Sequence, residues 1–417
     1  MKELLKKIIP AQLLGLYHLM WAEAGALIYR YPARKLFVIA VTGTKGKSTT
    51  VELIRAILAE AGFTVASAST IRFTIGKESE RNLFKMTMPG RFFLQQFLRK
   101  AVTAGCTHAV VEMTSEGAKQ FRHKGIALDA LVFTNLQPEH IESHGSLEKY
   151  AAAKLLLAKH LEESSKRPRY VVANADDAYG KKFLETAVEH RVPFSLKNAE
   201  PYNTDDKNVR FVWKQVLFTV PLPGLFNLKN ILAALATTQS MGVPLDTAKR
   251  TLEHIQPIAG RTERVVRGQN FTVIVDYAHT PDSLKTLYET FKGNRIIALL
   301  GNTGGGRDKW KRPLMGKIAE EYADVTFLAN EDPYDEDPKT IVEEIAKGFT
   351  SKKPFIILDR RAAIREALRE AKPGDTVLIT GKGTDPYIMG PSGTKQEWSD
   401  KKVAEEELDK LLHPKNK

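Results

Sequence analysis

One stretch constrains this chain more than any other: Leu36 to Thr50, LFVIAVTGTKGKSTT. An apolar, β-branched run leads into a glycine turn, and Lys47-Ser48-Thr49 open the helical pattern VELIRAILAEAG. A buried strand that feeds a glycine loop and then a helix N-terminus makes a phosphate site. Glycines let backbone N–H groups approach the anion, and the helix dipole adds partial positive charge. Gly43, Thr44, Lys45, Gly46, Lys47, Ser48 and Thr49 form the candidate cradle. Lys47 reaches towards the outer phosphates and Ser48 towards a magnesium ion. The general P-loop needs a further glycine at position 41, which is Val here, so only the shorter Gly43-x-x-Gly46-Lys47-Ser48 form is present. The plain alternative is a glycine turn with no ligand.

At 417 residues the chain has room for two or three domains with their own cores. Its net charge of +13 suits anionic substrates such as nucleotides, or a weak pull towards acidic lipid. The basic residues are scattered, without a long basic run, so no nucleic-acid partner is expected. The single cysteine, Cys106, excludes an internal disulfide and a cysteine-built zinc site. The chain reads as cytoplasmic.

Residues 1–35 begin with Lys2, Lys6 and Lys7 and continue as IIPAQLLGLYHLMWAEAGALIYRYP, a helical pattern ending near Pro32. No small-residue cleavage site follows, which argues against a signal peptide. Three readings stay open: a helix packed on the next domain, an interfacial helix making weak membrane-surface contact, or a spanning segment. From 36 to 258 apolar runs at Thr64–Ser69, His108–Met113, Ala130–Leu136 and Tyr170–Ala173 alternate with helical patterns such as Phe92–Ala104 and Leu147–His160. This predicts a doubly wound, mostly parallel α/β domain of P-loop type. Asn208–Val220 reads as a late hairpin. A bend at Gln256–Arg261 marks a hinge, and from 259 to 417 the alternation restarts as a second, Rossmann-like α/β domain without G-x-G-x-x-G.

Polar groups gather where these strands end, which is where open α/β sheets bind ligands. Glu112 follows the run AVV, His140 follows ALVFTNL, with His144 as its substitute, and Lys154 lies on the next helix. A carboxylate and a histidine beside a phosphate loop can hold magnesium against a nucleotide. Read alone, Lys154 is a solvated helix lysine. In the second domain the strand-end loops are Asp276-Tyr-Ala-His279, Gly301–Lys309, the acidic Asn330–Pro338 and Gly381-Lys-Gly-Thr-Asp385. Acids in the third of these can bind a substrate amine or cap the helix starting near Pro338.

Taken in order, the motifs VTGTKGKSTT, VVEMTSEG, FTNLQPEHIESHGSLEKYAAAK, NADD, LPGLFNLKNILAA, GRTERV, VDYAHTPDSL, GGGRDKWKRPLMGKIA, NEDPYDEDP and LITGKGTDP resemble the Mur ligases, within them the muramyl-tripeptide synthetase branch. The resemblance runs from about Phe37 to the C-terminal region. It implies an ATP- and magnesium-dependent amide ligase: a carboxylate attacks the γ-phosphate of ATP, and an amino-acid amine attacks the resulting acyl phosphate. It implies that Lys47 cradles phosphate, that Ser48, Glu112 and His140 hold magnesium, and that Lys154 is carbamylated and serves the metal site. Asn230 and Arg261 match nucleotide-side positions. Asp276 and His279 match the motif by which the C-terminal domain closes over ATP. Thr87 and Pro89 match the substrate-contacting Thr-Thr-Pro turn, broken here by Met88. The substrates implied are small molecules: ATP, an amino acid and a cell-wall peptide precursor.

The departures bear on the substrate. About forty residues precede the phosphate strand, fewer than the ~50 a separate uridine-binding domain needs. The amino-acid loop of diaminopimelate-adding enzymes reads Asp-Asn-Pro-Arg, whereas Glu331, Asp332, Pro333 and Tyr334 stand here. The missing arginine disfavours that amino acid. Glu116 stands where the branch has His, and Thr384-Asp385 where it has His-Glu, next to Lys382 on the substrate side. Competing readings are a ligase for a polyglutamate, cyanophycin-like or lipid-linked acceptor, and a nucleotide-binding subunit without turnover.

Overall fold

The computed structural model describes residues 11–139, 144–306 and 309–413. The chain divides into two compact units. The first runs to Tyr202 and takes in Arg210–Pro221 and Phe226–Ile255; the second comprises Asn203–Val209, Leu222–Leu225 and Gln256–Lys417.

The first unit is built on eight strands: β1 (Phe37–Thr42), β2 (Val65–Ala68), β3 (Arg72–Ile75), β4 (Glu78–Arg81), β5 (His108–Glu112), β6 (Ala130–Phe133), β7 (Tyr170–Asn174) and β8 (His190–Phe194). Their order in the sheet is β4-β3-β2-β5-β1-β6-β7-β8. The pairs from β2 to β8 are parallel, and the β3–β4 hairpin adds an antiparallel edge. Strands β1, β5 and β6 are almost wholly apolar because both faces are covered. With β5 on one side of β1 and β6 on the other, the chain reverses direction across the sheet at β1, which opens a crevice at its C-terminal end. The alternation expected from the sequence is present. The β3–β4 hairpin and β8 were not expected, since short, exposed strands such as β4 lack an apolar signal.

The N-terminal segment forms α1 (Ala11–Ile28), ending four residues before Pro32. Arg30 and Tyr31 then take left-handed backbone conformations before a 3₁₀ turn at Pro32–Lys35. Further long helices of this unit are α2 (Lys47–Glu60), α3 (Arg91–Thr103), α4 (Leu147–Glu162) and Leu225–Ser240. Helix α1 packs on α3, and Arg99 donates to the carbonyls of Tyr29 and Arg30. No described helix, α1 included, is long and apolar enough to cross a membrane. The expected hairpin forms from Val209–Trp213 and Val216–Val220.

In the second unit Glu263–Arg264 lies antiparallel to Thr272–Asp276, and the latter pairs in parallel with Thr376–Thr380. Ile296–Leu300, Val325–Leu328 and Phe355–Ile356 continue the parallel sheet beyond Thr376–Thr380. A buried ion pair ties its helices to the sheet: Arg360 donates to both oxygens of Asp400 at 2.8 and 2.7 Å and to the carbonyl of Thr380. Such a pair is worth most as a constraint, because losing one partner strands a buried charge.

The first unit also buries a histidine pair. The rings of His123 and His160 lie 4.7 Å apart, edge to face, and neither Nδ1 has a hydrogen-bond partner. Burial, then the neighbouring His160 and Lys124 charges, hold the His123 pKa down at about 2, against 6.5 in a free side chain. The fold therefore favours neutral His123: its contribution is complete above pH 6.5 and is lost as pH falls towards 2. Each such proton costs about 1.4 kcal/mol per pH unit in that window. Denaturant midpoints are expected to fall steadily from pH 6 to pH 4, and His123→Phe should flatten that slope.

Candidate active site

Strand β1 ends at Thr42, and the turn Gly43–Gly46 carries the chain into α2. Gly46 is left-handed (φ +82°), and a Cβ there would lie 2.0 Å from Oδ1 of Asn230. The turn is thus closed down on an asparagine delivered by the helix Leu225–Ser240. Thr134 and Asn135, at the end of β6, hold it from the other side. Thr134 Oγ1 and Asn135 Nδ2 donate to the carbonyl of Lys45, and Asn135 Oδ1 accepts from its N–H at 2.9 Å.

Charge converges on this turn. Lys47 Nζ donates to the carbonyls of Gly43 (3.1 Å) and Thr44 (2.9 Å) and lies 3.9 Å from Glu112 Oε1. Ser48 Oγ donates to Glu112 Oε2 at 2.9 Å. Register explains the meeting: Glu112 pairs with Val41 across the parallel β1–β5 ladder, so both strands deliver their ends to one edge. Lys45 forms an ion pair with Glu139 at 2.8 Å. Thr44 Oγ1 lies 3.2 Å from the Tyr150 hydroxyl. Thr49, in the first turn of α2, is buried.

Lys154 is 1% exposed, so the solvated reading of this side chain is set aside. From α4 its Nζ donates to the Gly43 carbonyl at 2.7 Å and sits over the Tyr150 ring. Burial first, then the Lys47 ammonium, pull its pKa well below the ordinary lysine value, against the opposing pull of Glu139 and Glu112. The fold therefore favours an uncharged amine with a free lone pair. His140 lies outside the described residues. His144 is buried, with Nε2 3.2 Å from Ser115 Oγ and 3.1 Å from Glu116 Oε1. Burial lowers its pKa, and Glu116 partly restores it.

Sequence reasoning missed Thr70. Its N–H and hydroxyl both donate to Glu112 Oε2, at 2.9 and 3.1 Å, and its hydroxyl lies 2.8 Å from that of Thr87. Thr70 thus connects the phosphate turn with Thr87-Met88-Pro89. The only available signal was its place just after β2, the strand beside β5. Met88, which breaks the expected Thr-Thr-Pro, is buried, and its sulfur fills the space a Cβ on Gly117 would need.

The second unit has its own polar strand edge. Asp276 accepts from the N–H groups of Thr262 and Ala278, both at 2.7 Å, while burial raises its pKa. Arg261 lies over the Tyr277 ring, and His279 Nδ1 is 2.7 Å from the Tyr277 carbonyl. Lys382 and Asp332 are buried as a pair at 2.8 Å, and Asp385 lies 3.6 Å from the same ammonium. Glu331 Oε1 accepts from Thr303, whereas its buried Oε2 has no partner. Tyr334 is left-handed, with its N–H on the Met389 carbonyl.

A magnesium ion fits the first of these edges. The Ser48 hydroxyl and Glu112 carboxylate are hard oxygen donors already in contact beside Lys47. The described residues contain no cluster of three or more His, Cys, Asp or Glu side chains that would hold a metal unaided. That suits an ion which keeps several waters and shares phosphate oxygens.

The sequence matches two family models, the Mur ligase middle domain over residues 41–238 and the Mur ligase glutamate ligase domain over 260–383. It is 38% identical to a UDP-N-acetylmuramoyl-L-alanyl-D-glutamate–2,6-diaminopimelate ligase of Synechococcus elongatus, over 95% of this chain and 82% of that one. A UDP-N-acetylmuramyl-tripeptide synthetase of Roseiflexus is 36% identical over 88% and 78%. Among solved structures, a UDP-N-acetylmuramoyl-L-alanyl-D-glutamate–2,6-diaminopimelate ligase superposes with a TM-score of 0.62 at 30% identity, covering 91% of this chain and 79% of that one. With both units matched and the phosphate turn inside the first match, the chain belongs to the Mur ligase family, whose members are ATP-dependent carbon–nitrogen ligases.

Proposed function

We propose that this chain is a UDP-N-acetylmuramyl-tripeptide synthetase-like ligase that joins an amino acid to a glutamyl-type carboxylate of a cell-wall peptide precursor in the cytoplasm. The observation that carries this reading is the convergence of Lys47, Ser48 and Glu112 at the end of β1, backed by the buried amine of Lys154. A carboxylate is a poor electrophile until phosphorylated. In this scheme its oxygen attacks the γ-phosphorus and ADP leaves. The amine nitrogen then attacks the acyl carbon, loses a proton, and phosphate leaves with the former carboxylate oxygen.

Phosphoryl transfer needs positioning and charge neutralisation more than covalent help. Lys47 is assigned to the phosphates, with the backbone N–H groups of the Gly43–Thr49 turn. Ser48 and Glu112 are assigned to magnesium, which would screen the phosphate charge, with His140 as a further ligand. Asn230, Arg261, Asp276 and His279 are assigned to the nucleotide. Thr87 and Pro89 are assigned to the acceptor, and Glu331, Asp332, Tyr334, Lys382 and Asp385 to the amino acid. In domain terms, 36–258 supplies the ATP site and 259–417 the ligase partner domain.

Lys154 is assigned a carbamate. Its neutral amine can add carbon dioxide, forming an N–C bond and releasing one proton, which puts an anion beside Lys47 in place of an uncharged amine. Diaminopimelate is disfavoured as the amino acid in this reading, although two of the three relatives above carry its name. Tyr334 replaces the clamping arginine, and Arg312 and Arg360 are buried and committed to Glu336, Glu344 and Asp400.

Phosphate release from ATP, measured with UDP-linked muramyl dipeptide and a panel of amino acids, tests the whole reading. Turnover should require both acceptor and amino acid, and diaminopimelate should rank low. ATP binding without release on any acceptor would overturn it. Lys47→Ala should lower kcat by about 10²–10³-fold, since phosphate charge is left uncompensated. Removing dissolved carbon dioxide should depress activity and bicarbonate should restore it. Lys154→Ala should regain activity with short carboxylic acids, and indifference to both treatments would exclude the carbamate.

A further inference from the structure

Helix α1 is packed inside out. The side it turns towards α3 and the loop Phe121–Gly125 carries small residues: Ala22 and Ala26 are fully buried, and a Cβ on Gly125 would strike Ala26 at 2.5 Å. The large apolar residues point the other way. Leu16, Tyr17, Met20, Trp21, Leu27 and Ile28 are 44–65% exposed. At 100° per residue they fall within an arc of about 140°, with no charge inside it and Glu23 at its margin. A helix apolar on all sides ordinarily has apolar partners on all sides.

The face does not stop at α1. The Trp21 ring lies tilted against Phe92, centroids 5.6 Å apart, and the neighbouring Phe93 ring lies 4.9 Å from that of Phe84. Leu83, Phe84 and Met86 are 42–54% exposed and immediately precede Thr87-Met88-Pro89. Contiguous apolar surface of this extent marks an interaction site.

We propose that this surface docks on an anionic lipid bilayer, with α1 lying in the plane of the headgroups. Charge selects the occupant. Residues 1–35 contain Lys2, Lys6, Lys7, Arg30, Arg34 and Lys35 against Glu3 and Glu23. Arg30, Arg34 and Lys35 are exposed just beyond the helix. A second copy pairing through α1 would bring basic flanks together in either direction, in a chain already carrying +13. Acidic headgroups supply the missing counter-charge. Tyr17 and Trp21 are the amphipathic rings that settle at the lipid–water boundary. Bilayer contact would bring the turn at Thr87 to headgroup level. The inference rests on how α1 packs and not on the ligase reading.

Flotation of the full chain with lipid vesicles tests it. Binding is expected to vesicles of phosphatidylcholine mixed with phosphatidylglycerol, weaker binding to phosphatidylcholine alone, and weakening with salt. Leu16→Gln/Met20→Gln/Leu27→Gln should cut vesicle affinity about tenfold or more while leaving soluble ATP turnover unchanged. Arg30→Glu/Arg34→Glu, which leaves the apolar face intact, should remove the preference for acidic lipid. Absence of flotation, or flotation indifferent to both variants, would overturn the proposal. So would a dimer in sedimentation analysis that the triple variant dissolves without any vesicle binding.

Discussion

Two lysine side chains reach one carbonyl oxygen. Nζ of Lys47 and Nζ of Lys154 both donate to Gly43, at 3.1 and 2.7 Å, from different helices. Two ammonium groups so close, one of them out of water, repel strongly in a low dielectric. The fold relieves this by holding the Lys154 pKa far down and placing Glu112 and Glu139 nearby. Much of the first unit follows from that arrangement. The parallel sheet brings Val41 and Glu112 into register, and β6 supplies Thr134 and Asn135 to hold the turn. A site poised this way has one strong cation available to phosphate, with a carboxylate and a hydroxyl already placed for a divalent ion.

How much of this was legible in the sequence depends on the range of each interaction. The strands β1, β5 and β6 announce themselves because burial on both faces demands unbroken apolar runs. The phosphate turn is legible because its glycines and Lys47-Ser48 are contiguous. Glu112 is legible as a polar residue closing an apolar strand. Thr70 was hidden: its partners, Glu112 and Thr87, lie forty-two and seventeen residues away. Only the sheet order, β2 beside β5, makes them neighbours. Lys154 shows the same limit from the other side. Nothing local separates a buried helix lysine from a solvated one; the family motif around it did, and its 1% exposure agrees.

The N-terminal helix illustrates a different gap. An apolar helix can be seen in the sequence, but which side packs is decided by its neighbour. Gly125 admits only a small residue, so Ala26 goes in and the bulky residues are turned out. Composition alone would have sent Leu16, Met20 and Leu27 to the core.

Glycines at strand ends do one job in both units. In the first, the space of a Gly46 side chain is taken by the Asn230 amide; in the second, that of Gly381 is taken by Oε2 of Glu331 at 2.2 Å. Each time a polar group from elsewhere in the unit is drawn against the backbone at the sheet edge, and any larger residue would push it out. The outcomes differ. Asn230 keeps the phosphate turn closed, whereas Glu331 is left with an oxygen that no neighbour satisfies. A buried carboxylate oxygen without a donor is costly unless something supplies one. Beside it Asp332 and Lys382 are paired, with Met389 N–H on the carboxylate and the Tyr387 carbonyl on the ammonium. The strand edge of the second unit thus keeps a buried carboxylate oxygen without a donor, at a point where a cationic group would relieve the cost of burial.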